Sequence, residues 1–474
     1  MPAPVDSPSP PSRRPRVAIL GGGFCGAAAA FHLARDLGAG VEIWVVEPRS
    51  GLGAGLAYGT GDPAHRINVP SSKMTLVSTD LGHFDAWLDG PEAPPLDPEA
   101  VSGPDRFPQR RLFGAYVAAF LRPWIEAGVV RHLRDRAVAV DWAAEGDVVT
   151  LAGGGRVAAD LLILALTHPR PETPGALAPL AGSPGLFADP YAPEALAGVA
   201  PHARVLVVGS GLTSADVIAS LDRRGHRGPI TTLSRHGLRS RGHAPRPQET
   251  LADFADPPAR TAGGLLASIR AALRADAAAG LTWHAALDRV RGQGPAIWAA
   301  LDAPARSRVV RHLRTLWDVH RFRVAPQVEA VLDRLTAEGQ LTPLAGRLTG
   351  ARVTPEGLAV SWRPRGAARG KEAVFDAVVV TTGPAHGRVV ADAPVLASLA
   401  AAGRLRPDPL GLGIDTDPDG RPIGADGRGD PRILVCGPLA RGSVGELMGV
   451  PEVTQHAELT ARRAAAILRG APGT

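Results

Sequence analysis

Two glycine-spaced runs hold the residues best suited to chemistry in this chain of 474 residues. In the first, Gly21, Gly23 and Gly26 fit GxGxxG, and Glu47 follows 21 residues after Gly26. The first glycine of such a run allows a tight turn, and the second lets a pyrophosphate approach the backbone. The third lets helix and strand pack closely, and the phosphates rest on the helix N-terminus. An acid ending the next strand accepts hydrogen bonds from a ribose diol. In the second run Gly209, Gly211 and Ser214 repeat the spacing, with serine small enough for the packing role, but the next strand ends in Ser234-Arg235-His236. An acid repels a 2′-phosphate, whereas Ser234 and Arg235 can bind one. Either run alone also fits an ordinary glycine-rich turn, and Arg235 alone fits a solvated surface charge. Together, with unequal strand ends, they point to two dinucleotides in one chain. FAD is expected at the Glu-ended turn and NADPH at the Arg-ended one, so the cofactors carry the redox chemistry without a side-chain nucleophile.

These residues need strands and helices to hold them. RVAIL (16–20) is a strand, the glycine turn follows, and a helix is expected from Ala27 to about Leu37, capped near Gly38. VEIWVVEP (41–48) is a second buried strand, and the glycine-rich GLGAGLAYGTGDP after it cannot be regular structure. Residues 89–108 read as a surface loop and 112–126 as a helix. Residues 137–168 and 350–384 share one pattern, a small antiparallel meander feeding a single apolar parallel strand. ARVLVVGSGLTSADVIASL (203–221) and PITTLSRHG (229–237) begin the second copy, and PRILVCGP (431–438) leads to a last helix from Pro451. The fold class expected is α/β, two Rossmann-like dinucleotide-binding domains with antiparallel β-meanders and a helical insertion. The domains expected are a disordered tail at 1–14, a first part of the FAD-binding domain at 15–200, an NAD(P)-binding domain at 201–384 with its insertion at about 245–340, and the rest of the FAD-binding domain at 385–474.

Composition narrows the partners. Lys plus Arg is 52 against 46 Asp plus Glu, a net charge of +6, and 50 of those cations are arginines because Lys73 and Lys371 are the only lysines. The sequence pI of about 10.0 therefore reflects a thin excess with no cationic block, and nucleic acid is not expected as a partner. Ser12-Arg13-Arg14-Pro15-Arg16 before an apolar stretch resembles a twin-arginine signal, but glycines at dinucleotide spacing and a second strand at the right distance favour strand, turn and helix. No apolar run reaches the roughly 18 residues of a membrane span. Two cysteines, Cys25 and Cys436, exclude a disulfide framework and a CxxC pair, which suits a reducing cytoplasm. No HxxxH or HExxH spacing occurs, so no metal is expected.

At this point the chain resembles the two-dinucleotide-domain flavoproteins, and within them the bacterial FAD/NAD(P)-binding group that includes flavin-dependent urate hydroxylases and aspartate N-monooxygenases. The resemblance runs over nearly all the chain after residue 15. It rests on GGGFCGAAAA, GLGAGLAYGTGDPAHRINVPSSKM, FPQRRLFGAYV, VVGSGLTSADV, RHLRTLWDVHRFRVAP, AVVVTTGP and CGPLARGSVGELMGVPEV. It implies that the segment after the second strand folds over the flavin, with Tyr58, Asn68, Val69 and Met74 near the isoalloxazine and Arg111 near the FAD. It implies that Gly437 and Pro438 return the chain to the ribityl and flavin, and that the last helix points its N-terminus at the flavin, where its dipole stabilises an anionic reduced form. One departure stands out. Class B flavoprotein monooxygenases often carry FxGxxxHxxxW before the second turn, whereas this chain reads Phe187-Ala-Asp-Pro-Tyr191 without the His or the Trp.

Other residues have two readings. Cys25 and Cys436 fall at turns of the first site, as small buried residues or as a redox pair. His65, Arg66, Lys73 and Arg110 suit an anionic substrate such as urate or a carboxylate, or phosphates and solvent. Trp317, His320 and Arg321 share a helix face by spacing, as core packing or as a substrate wall, with Arg323 close by. Glu446 suits proton handling near the flavin or a helix N-terminal acid. The function expected is an FAD-dependent, NADPH-using monooxygenase acting with O₂ on a small nitrogen-rich or anionic substrate, as a urate hydroxylase does. The alternatives are an NAD(P)H-dependent flavin reductase or oxidase without oxygen insertion, and a dinucleotide-binding protein that turns nothing over.

Overall fold

The computed structural model describes residues 13–143, 146–166, 171–192, 194–383 and 386–470. The expected tail therefore lies largely outside the described residues. Its last two positions are tied down, Arg13 donating to the Asp160 carboxylate at 2.7 and 3.0 Å and Arg14 to the Ala39 carbonyl at 3.2 Å.

Largely apolar strands build two sheets. The first holds five parallel strands in the order Ile433–Val435, Leu161–Leu164, Arg16–Leu20, Glu42–Val46 and Val130–Leu133. The second runs Leu186–Phe187, Ala377–Val380, Val205–Val208, Ile230–Ser234 and Leu341–Thr354, all parallel, then Gly357–Pro364 and Lys371–Phe375, antiparallel. Leu161–Leu164, Val205–Val208 and Ala377–Val380 are buried at every position, the pattern of parallel strands covered on both faces. Both meanders form, but differently. The first, Ala137–Ala143, Gly146–Leu151 and Arg156–Ala159, is a separate three-stranded sheet. The second grows out of the parallel sheet, because Leu341–Thr354 pairs with Ile230–Ser234 as far as Ala345 and with Gly357–Pro364 from Gly346 onward.

Helices α1 (Phe24–Leu37), α2 (His83–Leu88) and α3 (Arg110–Glu126) belong to the first sheet, and α4 (Leu212–Arg223) follows the second turn. From Ala262 the insertion is a run of helices: α5 (Ala262–Ala278), α6 (Trp283–Gly292), α7 (Gly294–Ala300), α8 (Ala303–His312) and α9 (Arg314–Arg321), with α10 (Pro326–Ala337) leading back to the second sheet. The chain ends through α11 (Val389–Asp392), α12 (Pro394–Ala401), α13 (Arg441–Val444) and α14 (Val450–Leu468). Helix α1 starts three residues before the expected Ala27, since the end of the glycine turn already lies in its first turn. Ala27 to Ala30 on α1 and Ala457, Ala461 and Ala464 on α14 are fully buried, and side chains this small let the two helices pack closely. No helix among the described residues is long and apolar enough to cross a membrane.

Candidate functional site

The first glycine turn is enclosed. Gly21 has φ +103°, and a Cβ there would lie 2.5 Å from the Ala165 carbonyl oxygen; one at Gly26 would lie 1.9 Å from that of Gly21. No side chain caps α1, so its first amides face outward from Gly23. Glu47 lies beneath the turn, buried, taking the Gly22 amide at 2.9 Å on one oxygen and the Arg49 amide and guanidinium at 3.0 Å on the other. The oxygen that takes the Gly22 amide keeps a lone pair for a sugar hydroxyl. Gly23 and Gly55 meet backbone to backbone, a Cβ on Gly55 falling 2.9 Å from the Gly23 Cα. The glycine-rich stretch thus closes over the turn because neither residue carries a side chain.

The segment beyond it is fixed from several sides. Tyr58 packs on Phe113 and Phe24 at ring distances of 4.7 and 6.3 Å, and burial pushes its hydroxyl pKa up. Met74 is buried and Val69 half-buried. The Asn68 carbonyl accepts from His243 Nε2 at 3.1 Å. Thr454 on α14 donates to the Thr75 carbonyl at 2.7 Å, and Glu458 accepts from the Ser78 amide and hydroxyl at 2.7 and 2.5 Å. Gly437 has φ +81°, and its amide donates to His456 Nδ1 at 3.1 Å; burial holds that imidazole neutral, down to a pKa of about 4. Pro438 follows it in a short 3₁₀ turn. Arg111 is exposed, its guanidinium held by Gln109 at 2.7 Å.

The second turn is built alike but open. A Cβ on Gly209 (φ +123°) would meet the Thr381 carbonyl at 2.5 Å, and Ser214 is buried as the packing residue. Nothing lies within 4 Å of a Cβ on Gly211, the N-cap of α4. The Ser234 hydroxyl accepts the Gly237 amide at 3.0 Å, and Arg235 projects exposed beside it with no partner among the described residues. Beside the turn opens a cleft of about 260 Å³ lined by Ser210, Gly211, Ser214, Leu238, Arg239 and Arg241 among others. Arg239 and Arg241 were not singled out from the sequence, although the cation-rich run RHGLRSRGH after the strand was a signal for them.

Between the turns the structure assigns most of the ambiguous cations. Arg110 donates both terminal nitrogens to Asp216 on α4 at 2.7 and 2.9 Å, and Tyr191 donates to the same carboxylate at 2.6 Å. Tyr191 thus occupies the place of the missing signature with a bridging role. His65 meets Thr60 and the Ser220 hydroxyl at 2.7 and 3.1 Å. Arg66 is buried against Asp97, Glu99 and the Phe107 carbonyl. Reading these three as substrate cations is therefore corrected: protein carboxylates, carbonyls and hydroxyls already take their donors. Lys73 stays exposed with no partner among the described residues.

The insertion helix also divides its face. Trp317 donates to Glu446 at 3.2 Å and Arg321 to Glu446 and Glu452 at 3.0 and 3.2 Å, whereas His320 turns to Trp283 and the Leu316 carbonyl. Arg323 pairs with Asp288. Glu446 therefore ties α9 to the segment between α13 and α14 rather than standing free to move protons. Cys436 Sγ lies 3.7 Å from the Cys25 carbonyl, so the two cysteines are neighbours. Burial pushes the Cys25 thiol up to about 12 and Cys436 well above its usual value, which leaves both as inert thiols.

Two sheets built on parallel strands, each with a glycine turn opening a helix, make the fold of the two-dinucleotide-domain flavoproteins. Residues 18–169 match the family model described as FAD-NAD(P)-binding. The chain is 32% identical over 236 residues to an L-aspartate N-monooxygenase (nitrosuccinate-forming) of Streptomyces cremeus, a match over 42% of this chain and 35% of that protein. The match thus spans about a third of that relative's length. The whole fold resembles an ornithine hydroxylase of Pseudomonas aeruginosa (15% identity, 96% of this chain, 99% of that one, TM-score 0.61). It also resembles an L-lysine 6-monooxygenase of Pseudomonas syringae (21%, 97% and 99%, 0.60) and a thioredoxin reductase of Lactococcus lactis (12%, 96% and 99%, 0.52).

Proposed function

We propose that the chain is an FAD-dependent, NADPH-using N-monooxygenase that hydroxylates an amine nitrogen of a small anionic amino acid. The observation that carries this reading is the pair of turns with unequal ends, Glu47 set beneath the enclosed one and Arg235 exposed at the open one. The aspartate N-monooxygenase relative moves the substrate expectation from urate towards an amino acid. The balanced reaction takes the amine, O₂, NADPH and a proton to the hydroxylamine, water and NADP⁺.

Gly21, Gly23, Gly26 and Glu47 would hold FAD, with Tyr58, Asn68, Val69, Met74, Arg111, Gly437 and Pro438 around it. Gly209, Gly211, Ser214, Ser234 and Arg235 would hold NADPH. The fit is physical: bare helix N-termini stand at both turns, and glycines take the positions where any side chain would obstruct a phosphate. The flavin supplies the electron relay between NADPH and O₂. The protein's part is positioning and exclusion of water. The ties from Thr454 and Glu458 to residues 75–78 keep the covering segment closed against α14, and the Arg110–Asp216–Tyr191 bridge fixes the second domain against the first. Of the four cations weighed for an anionic substrate, Lys73 is the one left to meet a carboxylate.

The test is to purify the protein with FAD, follow NADPH oxidation with and without L-aspartate, and look for an oxygenated product by mass. Substrate-dependent oxidation with a gain of one oxygen is expected. Oxidation that yields only hydrogen peroxide across amino acids and purines would establish the reductase or oxidase alternative, and a protein that takes up no FAD would defeat both readings.

A further inference from the structure

Where the insertion meets residues 438–452, four guanidiniums face three carboxylates. Glu452 takes two donors from Arg291, at 2.7 and 3.1 Å, and one from Arg321. Glu446 takes Arg321 and the Trp317 indole. Asp318 lies 3.4 Å from Arg314, one turn away on α9. Arg441, the first residue of α13, is left over. It is 6% exposed, lies in the fields of Arg314, Asp318 and Glu446, and donates no hydrogen bond among the described residues. The remaining carboxylate nearby, Asp408, is answered by the Leu410 and Leu412 amides and sits in the field of Arg306.

An unpaired buried guanidinium is costly, and the structure worsens it by placing Arg314 beside it. Four guanidiniums against three carboxylates leave a formal excess of one positive charge, and the Asp318 Oδ1 is itself buried without a hydrogen-bond partner among the described residues. The Trp298 indole donates to the Gly442 carbonyl at 2.8 Å, and a Cβ on Gly445 would strike the Trp298 ring at 2.8 Å. Arg441 stands three residues beyond Pro438, the turn assigned above to the flavin.

We propose that Arg441 and Arg314 form an anion-binding site between α9 and α13, and that its ligand is a carboxylate of the amino-acid substrate. This rests on the functional reading above and gives the substrate's negative charge a binding place. A carboxylate there supplies two acceptors to the Arg441 fork and brings the cluster to neutrality. A free inorganic anion offers the same chemistry.

The test uses the FAD-loaded protein and succinate, a dicarboxylate without an amine, titrated by its perturbation of the flavin absorbance and by thermal shift, with chloride and inorganic phosphate as separate arms. Succinate is expected to bind the wild type, and Arg441→Met to weaken it at least tenfold, with Arg441→Lys recovering part of the loss. FAD content equal to wild type marks the variant as folded. Should Arg441→Met fail to fold, Arg314→Gln, a partly exposed position, is expected to weaken succinate at least threefold. Succinate affinity unchanged in a folded variant overturns the proposal, and so does stabilisation of the wild type by chloride or phosphate but not by succinate. Because the readout is binding, it separates from turnover: absence of aspartate-dependent NADPH oxidation counts against the proposed activity, and unchanged succinate binding counts against the anion site.

Discussion

The two glycine turns share a plan and differ in enclosure. At the first, Gly23 lies against Gly55, Glu47 is locked beneath by backbone amides, and α14 ties down the covering segment through Thr454 and Glu458. At the second, Gly211 faces open space and Arg235 faces solvent. Under the proposed reading the difference is functional. A cofactor kept through many turnovers needs a closed seat, whereas one that arrives reduced and leaves oxidised needs a mouth. The same strand, turn and helix serve both, and the loops packed on the turn decide which.

That contrast is broken most severely by one methyl group. Gly26→Ala places a Cβ 1.9 Å from the Gly21 carbonyl oxygen, backbone that cannot swing aside. The cost is expected to be on the order of 3 kcal/mol or more, seen as protein that purifies without flavin and melts many degrees lower. Gly211→Ala meets nothing within 4 Å and should keep both fold and FAD while raising the KM for NADPH about tenfold. Equal damage to FAD content in the two variants would erase the distinction between a closed and an open turn.

Much of this was legible in the sequence because glycine spacing and apolar strands are local signals. Gly21, Gly23 and Gly26 announce their turn through backbone sterics that no distant residue can change, and LLILAL declares a buried strand by composition. The fate of the charged residues was not legible. Arg66, Arg110 and Arg111 lie within one short run of segments, yet Arg66 pairs with Asp97 and Glu99, Arg110 crosses to Asp216 on α4, and Arg111 stays at the surface. An ion pair between residues 106 positions apart leaves no periodic trace. The helical spacing of Trp317, His320 and Arg321 was similarly ambiguous, since a spacing of three and one of four diverge by enough to send His320 to Trp283 while its neighbours reach Glu446. Asp216, Tyr191 and Arg441 were missed because their importance lies in what faces them.

A smaller effect separates the sites by pH. Burial holds His456, which fixes the Gly437 turn of the first site, at a pKa of about 4, and burial holds His243, beside the covering segment, at about 4 as well. Unfolded, an imidazole takes its proton near 6.5, so between about 6.5 and 4 the unfolded chain binds more protons than the folded one and stability rises with pH. The contribution is complete above the unfolded value and is lost as the solution is acidified towards 4. At pH 5 His456 alone removes about 2 kcal/mol relative to pH 7. Melting temperatures between pH 7 and 5 should therefore fall, and His456→Gln, whose amide oxygen can still accept from Gly437, should flatten the fall. A slope unchanged by that substitution would mean that the Gly437 turn does not depend on a neutral imidazole.

The finest difference between the turns lies in the two strand ends. Glu47 is buried and hydrogen-bonded, so its charge is part of the architecture; Arg235 is exposed and unpaired among the described residues, so its charge is available to a ligand. An exposed arginine contributes about 1 kcal/mol or somewhat more to a phosphate it meets directly, and that contact exists in NADPH and not in NADH. Arg235→Ala is therefore expected to raise the KM for NADPH about tenfold and that for NADH less than twofold, with FAD content and melting temperature unchanged. The asymmetry between the coenzymes is the measurement that matters. An equal rise for both would make Arg235 a general electrostatic attractor, and preserved NADPH preference would shift the 2′-phosphate to Arg239 or Arg241, the cations that line the neighbouring cleft. Arg239 is held by Asp333, so Arg239→Ala would then weaken both α10 packing and NADPH, whereas loss of Arg235 touches the coenzyme alone.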